Sequence, residues 1–146
     1  MNALPPSRFI EDVAAGDRLP SLELAVDLRT LVTYAAATWD FHPYHYDAAY
    51  VAERGRHAPF MDGQMIGALL ARQLMAWGGP DAFVRRLAYR LRTMVHVGDS
   101  ISVTGTVSGT AVESGRPVAL CALDVVTADG SIVVKDAAAA IELPCR

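Results

Sequence analysis

The sequence predicts an α+β domain, a curved antiparallel β-sheet wrapped around a long buried central helix. Three features lead there. Apolar residues in the first half recur at helical spacing, those in the second half alternate with a period of two, and a nearly uncharged helical segment lies between them. Helices followed by strands is the order of an α+β domain rather than of repeated βαβ units.

The first helix starts at Leu28 behind Asp27, a favoured N-cap, and its apolar positions are Leu31, Val32, Ala35, Ala36 and Trp39. It must end between Asp40 and Pro43, because proline disfavours the α conformation in the residue before it. His42-Pro43 therefore turns the chain and presents the next side chains from a loop. A short helix from about Asp47 to Arg54 follows and stops at Gly55. The segment from Gln64 to Trp77 carries one charge, Arg72, between Asp62-Gly63 and a Gly78-Gly79-Pro80 stop. A helix of about 14 residues, about 21 Å long, that is apolar nearly all round has to be enclosed rather than laid on a surface.

Enclosure falls to the second half. Leu87, Tyr89 and Leu91 alternate with Arg86, Arg90 and Arg92, and Ile101, Val103 and Val107 alternate with Ser102, Thr104 and Thr106. Turns are expected at Val97-Gly98-Asp99, across Glu113 to Pro117, and at Asp129-Gly130, the last a hairpin signal between Val125-Val126 and Ile132 to Val134. A meander of this kind around one helix is the hot-dog arrangement.

With 146 residues, 52% hydrophobic and 20% charged, the chain reads as one domain over residues 1–146. A chain of this size buries roughly 68–70% of the surface it exposes when unfolded, so it needs no disulfide or metal staple. Two cysteines, Cys121 in an apolar run and Cys145 near the end, make no disulfide framework, and a reducing, cytoplasmic setting is expected. No signal-peptide pattern opens the chain and no apolar run has membrane-spanning length, so no membrane role is expected. A sequence pI near 5.7 argues against nucleic acid as a partner.

Chemistry concentrates in Trp39-Asp40-Phe41-His42-Pro43-Tyr44-His45-Tyr46-Asp47, at the break after the first helix. Asp40 and Asp47 can serve as helix caps and the histidines as partners for turn backbone. Alternatively, a carboxylate and an imidazole five residues apart across a proline turn can face one cavity and hold a water between proton acceptor and donor. Trp39, Phe41 and Tyr44 would then bury the acid. Asp62-Gly63 opens the apolar helix, whose free amides can polarise a carbonyl, and glycine lets that carbonyl approach closely.

At these residues the chain resembles the MaoC-like dehydratases, which include the (R)-specific enoyl-CoA hydratases. Their signature is roughly Gly-Asp-x-Asn-Pro-x-His, then a His-Gly at the start of the central helix. Asp40, Pro43, His45 and Gly63 stand at the matching positions, and the resemblance runs on through the Arg-Leu strand and Val97-Gly98-Asp99-Ser100 to the C-terminus. Trp39 replaces the usual Gly, His42 the Asn, and Asp62 the His. These departures look closer to the small MaoC-like subunits acting on steroid or other bulky CoA thioesters, often beside a second hot-dog subunit. The resemblance implies hydration of a trans-2-enoyl thioester, or the reverse dehydration, with Asp40 and His45 handling water and the α-carbon proton. Gly63 N–H would hold the thioester oxygen.

His42, Tyr44, Asp62, Gln64, Arg86 and Arg90 are the candidate substrate contacts, although alternation also fits a solvated face for Arg86, Arg90 and Arg92. No cofactor is expected beyond the coenzyme A of the substrate, and no metal, since His-x-x-His is too short for two ligands on one helix face. Met61, Met65, Met75 and Trp77 read as core filler, Cys121 as inert, and His57 and His96 as structural or exposed. The partner is an acyl-CoA or acyl-carrier thioester, and a homodimer or a heteromer with a second hot-dog chain is expected because a wrapped sheet leaves an edge. A hot-dog thioesterase is the competing enzyme, with Asp62 as the nearest carboxylate to the central helix. A non-catalytic binding subunit is the third reading.

Overall fold

The computed structural model describes residues 6–146. Five strands, β1 (Arg18–Ala25), β2 (Phe83–Ala88), β3 (Ser100–Glu113), β4 (Arg116–Thr127) and β5 (Ile132–Glu142), form one antiparallel sheet in the order β1-β3-β4-β5-β2. Three α-helices accompany it: α1 (Leu28–Thr38), α2 (Ala48–Ala52) and α3 (Gly63–Gly78). The sheet curls around α3, which packs against β1, β2 and β3. Among the described residues no helix is long and apolar enough to cross a membrane.

Turn chemistry sets the strand order. Ser114 and Gly115 both take positive φ, 50° and 77°, the pair a tight β3–β4 hairpin requires. At the β4–β5 turn the Asp129 carboxylate accepts from Ser131 N–H and the Thr127 hydroxyl, and Gly130 sits at φ 86°. Period-two burial then places Ile101, Val103 and Val107, Cys121, Leu123 and Val125, and Ala139 and Ile141 against Ile66, Leu70 and Leu74 of α3.

Three expectations need correction. The first half is not purely helical, because β1 lies within it. Leu22 and Leu24 alternate with Ser21 and Glu23, but Pro20 interrupts the pattern, and an edge strand tolerates proline. The β1–β3 register shifts there, between Leu19 and Leu22. The buried Gln73 amide of α3 donates to the Pro20 and Val103 carbonyls, both at 2.9 Å. The second correction concerns the Arg-Leu strand, which ends at Ala88 rather than running on through Arg92; Leu91 keeps only an isolated bridge to Val134. Tyr89 instead bends onto α3, where its hydroxyl donates to the Gly63 carbonyl at 3.0 Å. Its ring fills the space beside Gly67, where a Cβ would lie 2.4 Å from the hydroxyl oxygen.

Enclosure of α3 is also incomplete. Gln64, Ala68, Arg72, Met75 and Ala76 form an exposed stripe along it, so Met75 is not core filler, unlike the buried Met61, Met65 and Trp77. The reason is geometric: a single sheet covers one side of a helix, and residues three or four apart share the other side.

Candidate active site

Local signals deliver the first acid. Asp27 caps α1, accepting from Thr30 N–H at 2.7 Å, and the helix ends at Trp39, which takes the left-handed conformation at φ 61° and ψ 24°. That conformation is the reason a glycine suits the position. It throws the Trp39 ring outward to 82% exposure and leaves Phe41 47% exposed, so these two aromatics pack edge to face on each other and do not bury Asp40 as expected. Asp40 is held half-buried, its N–H donating to Ala35 O and its Oδ1 accepting from His42 N–H at 3.2 Å.

The proline turn delivers the imidazole. Pro43–His45 forms one turn of 3-10 helix, closed by His42 Nδ1 accepting from Tyr44 N–H, and Asp47 caps α2 by accepting from Tyr50 N–H. His45 Nδ1 lies 2.8 Å from the Phe60 carbonyl oxygen. A carbonyl only accepts, so Nδ1 carries the hydrogen and a neutral His45 keeps its lone pair on Nε2. Phe60 is itself fixed, its N–H donating to Tyr44 O at 3.1 Å and its strand segment bridging to His96.

Asp62 brings the third group. As N-cap of α3 its Oδ1 accepts from Gln64 N–H at 2.9 Å, whereas its Oδ2 is buried with no hydrogen-bond partner among the described residues. Asp40, His45 and Asp62 each offer an atom within 4.8 Å of the others. With Tyr34 and Met65 they line a cavity of about 10 Å³, room for a guest the size of one water. Burial, and then the Asp62 charge, pushes the Tyr34 hydroxyl above its ordinary pKa. One imidazole nitrogen and two carboxylate oxygens are also a donor set that a divalent cation accepts.

Gly63 borders a second cavity of about 280 Å³, mainly apolar, lined by Phe60, Met61, Ile66, Leu91 and Met94 among others. As the first residue of α3, Gly63 has an N–H with no intrahelical acceptor. A Cβ here would meet Leu91 Cδ1 at 2.7 Å. The two cavities thus meet the same helix end, one at Asp62 and the other at Gly63.

The remaining candidates line neither cavity, although the His42 and Gln64 backbone N–H groups donate to Asp40 and Asp62. His42 is exposed and stacks on Tyr44, ring centroids 4.7 Å apart, and neither lines either cavity. Gln64 lies on the exposed stripe of α3, Arg86 pairs with Glu113 at 2.9 Å on the sheet surface, and Arg90 is exposed in the segment after β2. Cys121 is buried, and burial pushes its thiol up to about 11, which leaves no thiolate at neutral pH. Sequence reasoning missed Phe60, which acts through a backbone carbonyl that every residue type possesses. It also missed Tyr34 and the role of Tyr89, which sits in what reads as a plain strand.

Residues 10–128 match the family model described as MaoC like domain. The chain is 31% identical over 100 residues to the beta subunit of 3-oxo-4,17-pregnadiene-20-carboxyl-CoA hydratase from Mycobacterium tuberculosis, covering 68% of this chain and 76% of that one. It is 29% identical over 117 residues to the (R)-specific enoyl-CoA hydratase of Aeromonas caviae, covering 78% and 84%. Its fold superposes on the ChsH1-ChsH2 complex from Mycobacterium tuberculosis with a TM-score of 0.79 at 25% identity, over 90% of this chain and 98% of that chain. By its hot-dog architecture and by sequence, the chain belongs to the MaoC-like family.

Proposed function

We propose that the protein is an enoyl-CoA hydratase, adding water across the double bond of a trans-2-enoyl-CoA thioester or catalysing the reverse dehydration. The observation that carries this is the one-water cavity lined by Asp40, His45 and Asp62 at the end of α3 that presents Gly63 N–H. In this reading His45 Nε2 takes a proton from water, and the water oxygen bonds to C3. The π pair moves through C2 onto the thioester oxygen at Gly63 N–H, and the proton on His45 returns to C2, directly or through Asp40. The acyl group lies in the apolar cavity beside Gly63. Both named relatives act, by their names, on CoA thioesters, which agrees with this chemistry. No redox or group-transfer cofactor is required, and both cysteines are free, consistent with a reducing compartment such as the cytoplasm.

The test is a panel of trans-2-enoyl-CoA esters, from short chains to steroid side chains, followed by loss of the conjugated double bond. Turnover of at least one member is expected, without release of free thiol. Thiol release in place of hydration would identify a thioesterase.

The protein acts as a dimer or with a second hot-dog subunit. Phe83 on edge strand β2 is 57% exposed, the next segment exposes Leu91, and α3 has its uncovered stripe. One relative is named a beta subunit and one similar structure is a two-protein complex. Light scattering of the purified chain, alone and co-expressed with a candidate partner, distinguishes the two assemblies.

A further inference from the structure

The two oxygens of the Asp62 carboxylate do different things. Oδ1 is used by the N-cap bond to Gln64 N–H, while Oδ2 is buried without a donor among the described residues. Capping does not call for this residue type, because Asn and Ser cap a helix about as well as Asp. A buried carboxylate oxygen left unpaired is costly, so its natural complement is a guest that donates to it. The side chain lines the cavity of about 10 Å³ that it shares with Asp40 and His45. Its geometry is set from behind: the cap bond holds one oxygen, and the Tyr89 hydroxyl donates to the Gly63 carbonyl at the same helix end.

Building on the hydratase reading, we propose that Asp62 is a further catalytic residue, whose Oδ2 accepts one hydrogen of the attacking water while His45 Nε2 accepts the other. A water with both hydrogens committed turns an oxygen lone pair toward the remaining open side of its site, where C3 of the enoyl thioester is presented. Asp62 and Gly63 are consecutive, so the water and the thioester oxygen are both referenced to the same helix end, and their separation is set by one peptide unit. Asp62 accepts a hydrogen bond throughout and takes no proton. The hydrogen of water that His45 removes is the one that C2 gains, and the other stays on the new hydroxyl, so the step balances without a co-reactant.

The variants Asp62→Asn and Asp62→Ser keep an N-cap, but the first places an amide donor where Oδ2 stood and the second removes that oxygen. With the full chain and the enoyl-CoA that the wild type turns over best, kcat is expected to fall about tenfold or more in both. KM is expected to stay within about threefold of wild type, because the interaction is with water rather than with substrate. A kcat within about twofold of wild type in either variant, or a loss confined to KM, overturns the proposal. So does a loss that merely follows the folded fraction, read by circular dichroism at the assay temperature. A wild type inactive on the whole panel defeats the hydratase reading and this inference with it. An active wild type with active Asp62 variants removes Asp62 alone.

Discussion

His45 Nδ1 and the Phe60 carbonyl oxygen, 2.8 Å apart, fix the imidazole tautomer before any substrate arrives. Nε2 is thereby the only ring atom able to take a proton, and it belongs to the side chain that shares a cavity with two carboxylates. Glutamine approximates the size of histidine and has no group that gains a proton at neutral pH. His45→Gln is therefore expected to lower kcat for enoyl-CoA hydration by about 100- to 10,000-fold, with an unchanged circular dichroism spectrum. Wild-type-like turnover in that variant would remove the imidazole from the chemistry.

Gly63 allows its amide to be deleted without deleting the helix. It is the first residue of α3, a position that favours proline, and Asp62 before it already has ψ 137°, the extended value that a following proline imposes. Gly63→Pro should lower kcat about 100- to 1,000-fold if the N–H holds the developing oxyanion. The ring meets Leu91 Cδ1, but that is the end of a partly exposed side chain with room to move. Gly63→Ala keeps the N–H with the same crowding and serves as the control. Equal losses in the two variants, measured against the same substrate, would assign the effect to crowding.

Gln73 bridges the buried face of α3 to the irregular start of β1. Gln73→Leu preserves the helix but leaves the Pro20 and Val103 carbonyls without their donor. The expected cost is about 2–4 kcal/mol, measured by urea unfolding. A loss under about 0.5 kcal/mol would mean that water reaches both carbonyls.

His96 stacks on His57 with ring centroids 4.0 Å apart. Burial first, and then the neighbouring His57, holds the His96 pKa below its ordinary value; Arg56 adds to the lowering and Asp99 opposes it. The folded protein therefore binds this proton more weakly than the unfolded chain does. The contribution is present above the unfolded value of about 6.5 and is lost as pH falls from there through the folded pKa. Urea midpoints should fall between pH 7 and pH 5, and His96→Gln should make that decline shallower. An identical decline in both proteins would place its source elsewhere.

Legibility followed the range of the interaction. The α1 start at Asp27, the short helix behind Asp47 and the α3 start at Asp62 were readable because a cap involves only three or four neighbouring residues. The β3–β4 and β4–β5 hairpins were readable for the same reason. β1 was not, since Pro20 breaks its alternation and only pairing with β3 makes it a strand. Asp40 and His45 stood out through the proline between them, yet Trp39 and Phe41 point outward, and the half-burial of the acid comes from residues of α1 and α3 instead.

By itself, then, the sequence determined the three helices and the two hairpins and singled out Asp40 and His45 as neighbours across a proline turn, because periodicity, caps and turns are set by residues close along the chain. Only the tertiary structure decided that residues 40, 45 and 62 converge on a space for one small guest, with a backbone carbonyl holding the imidazole from behind. Those relations span up to 22 residues (62 − 40). They depend on how α1, the proline turn and α3 pack against one another, which no local pattern encodes.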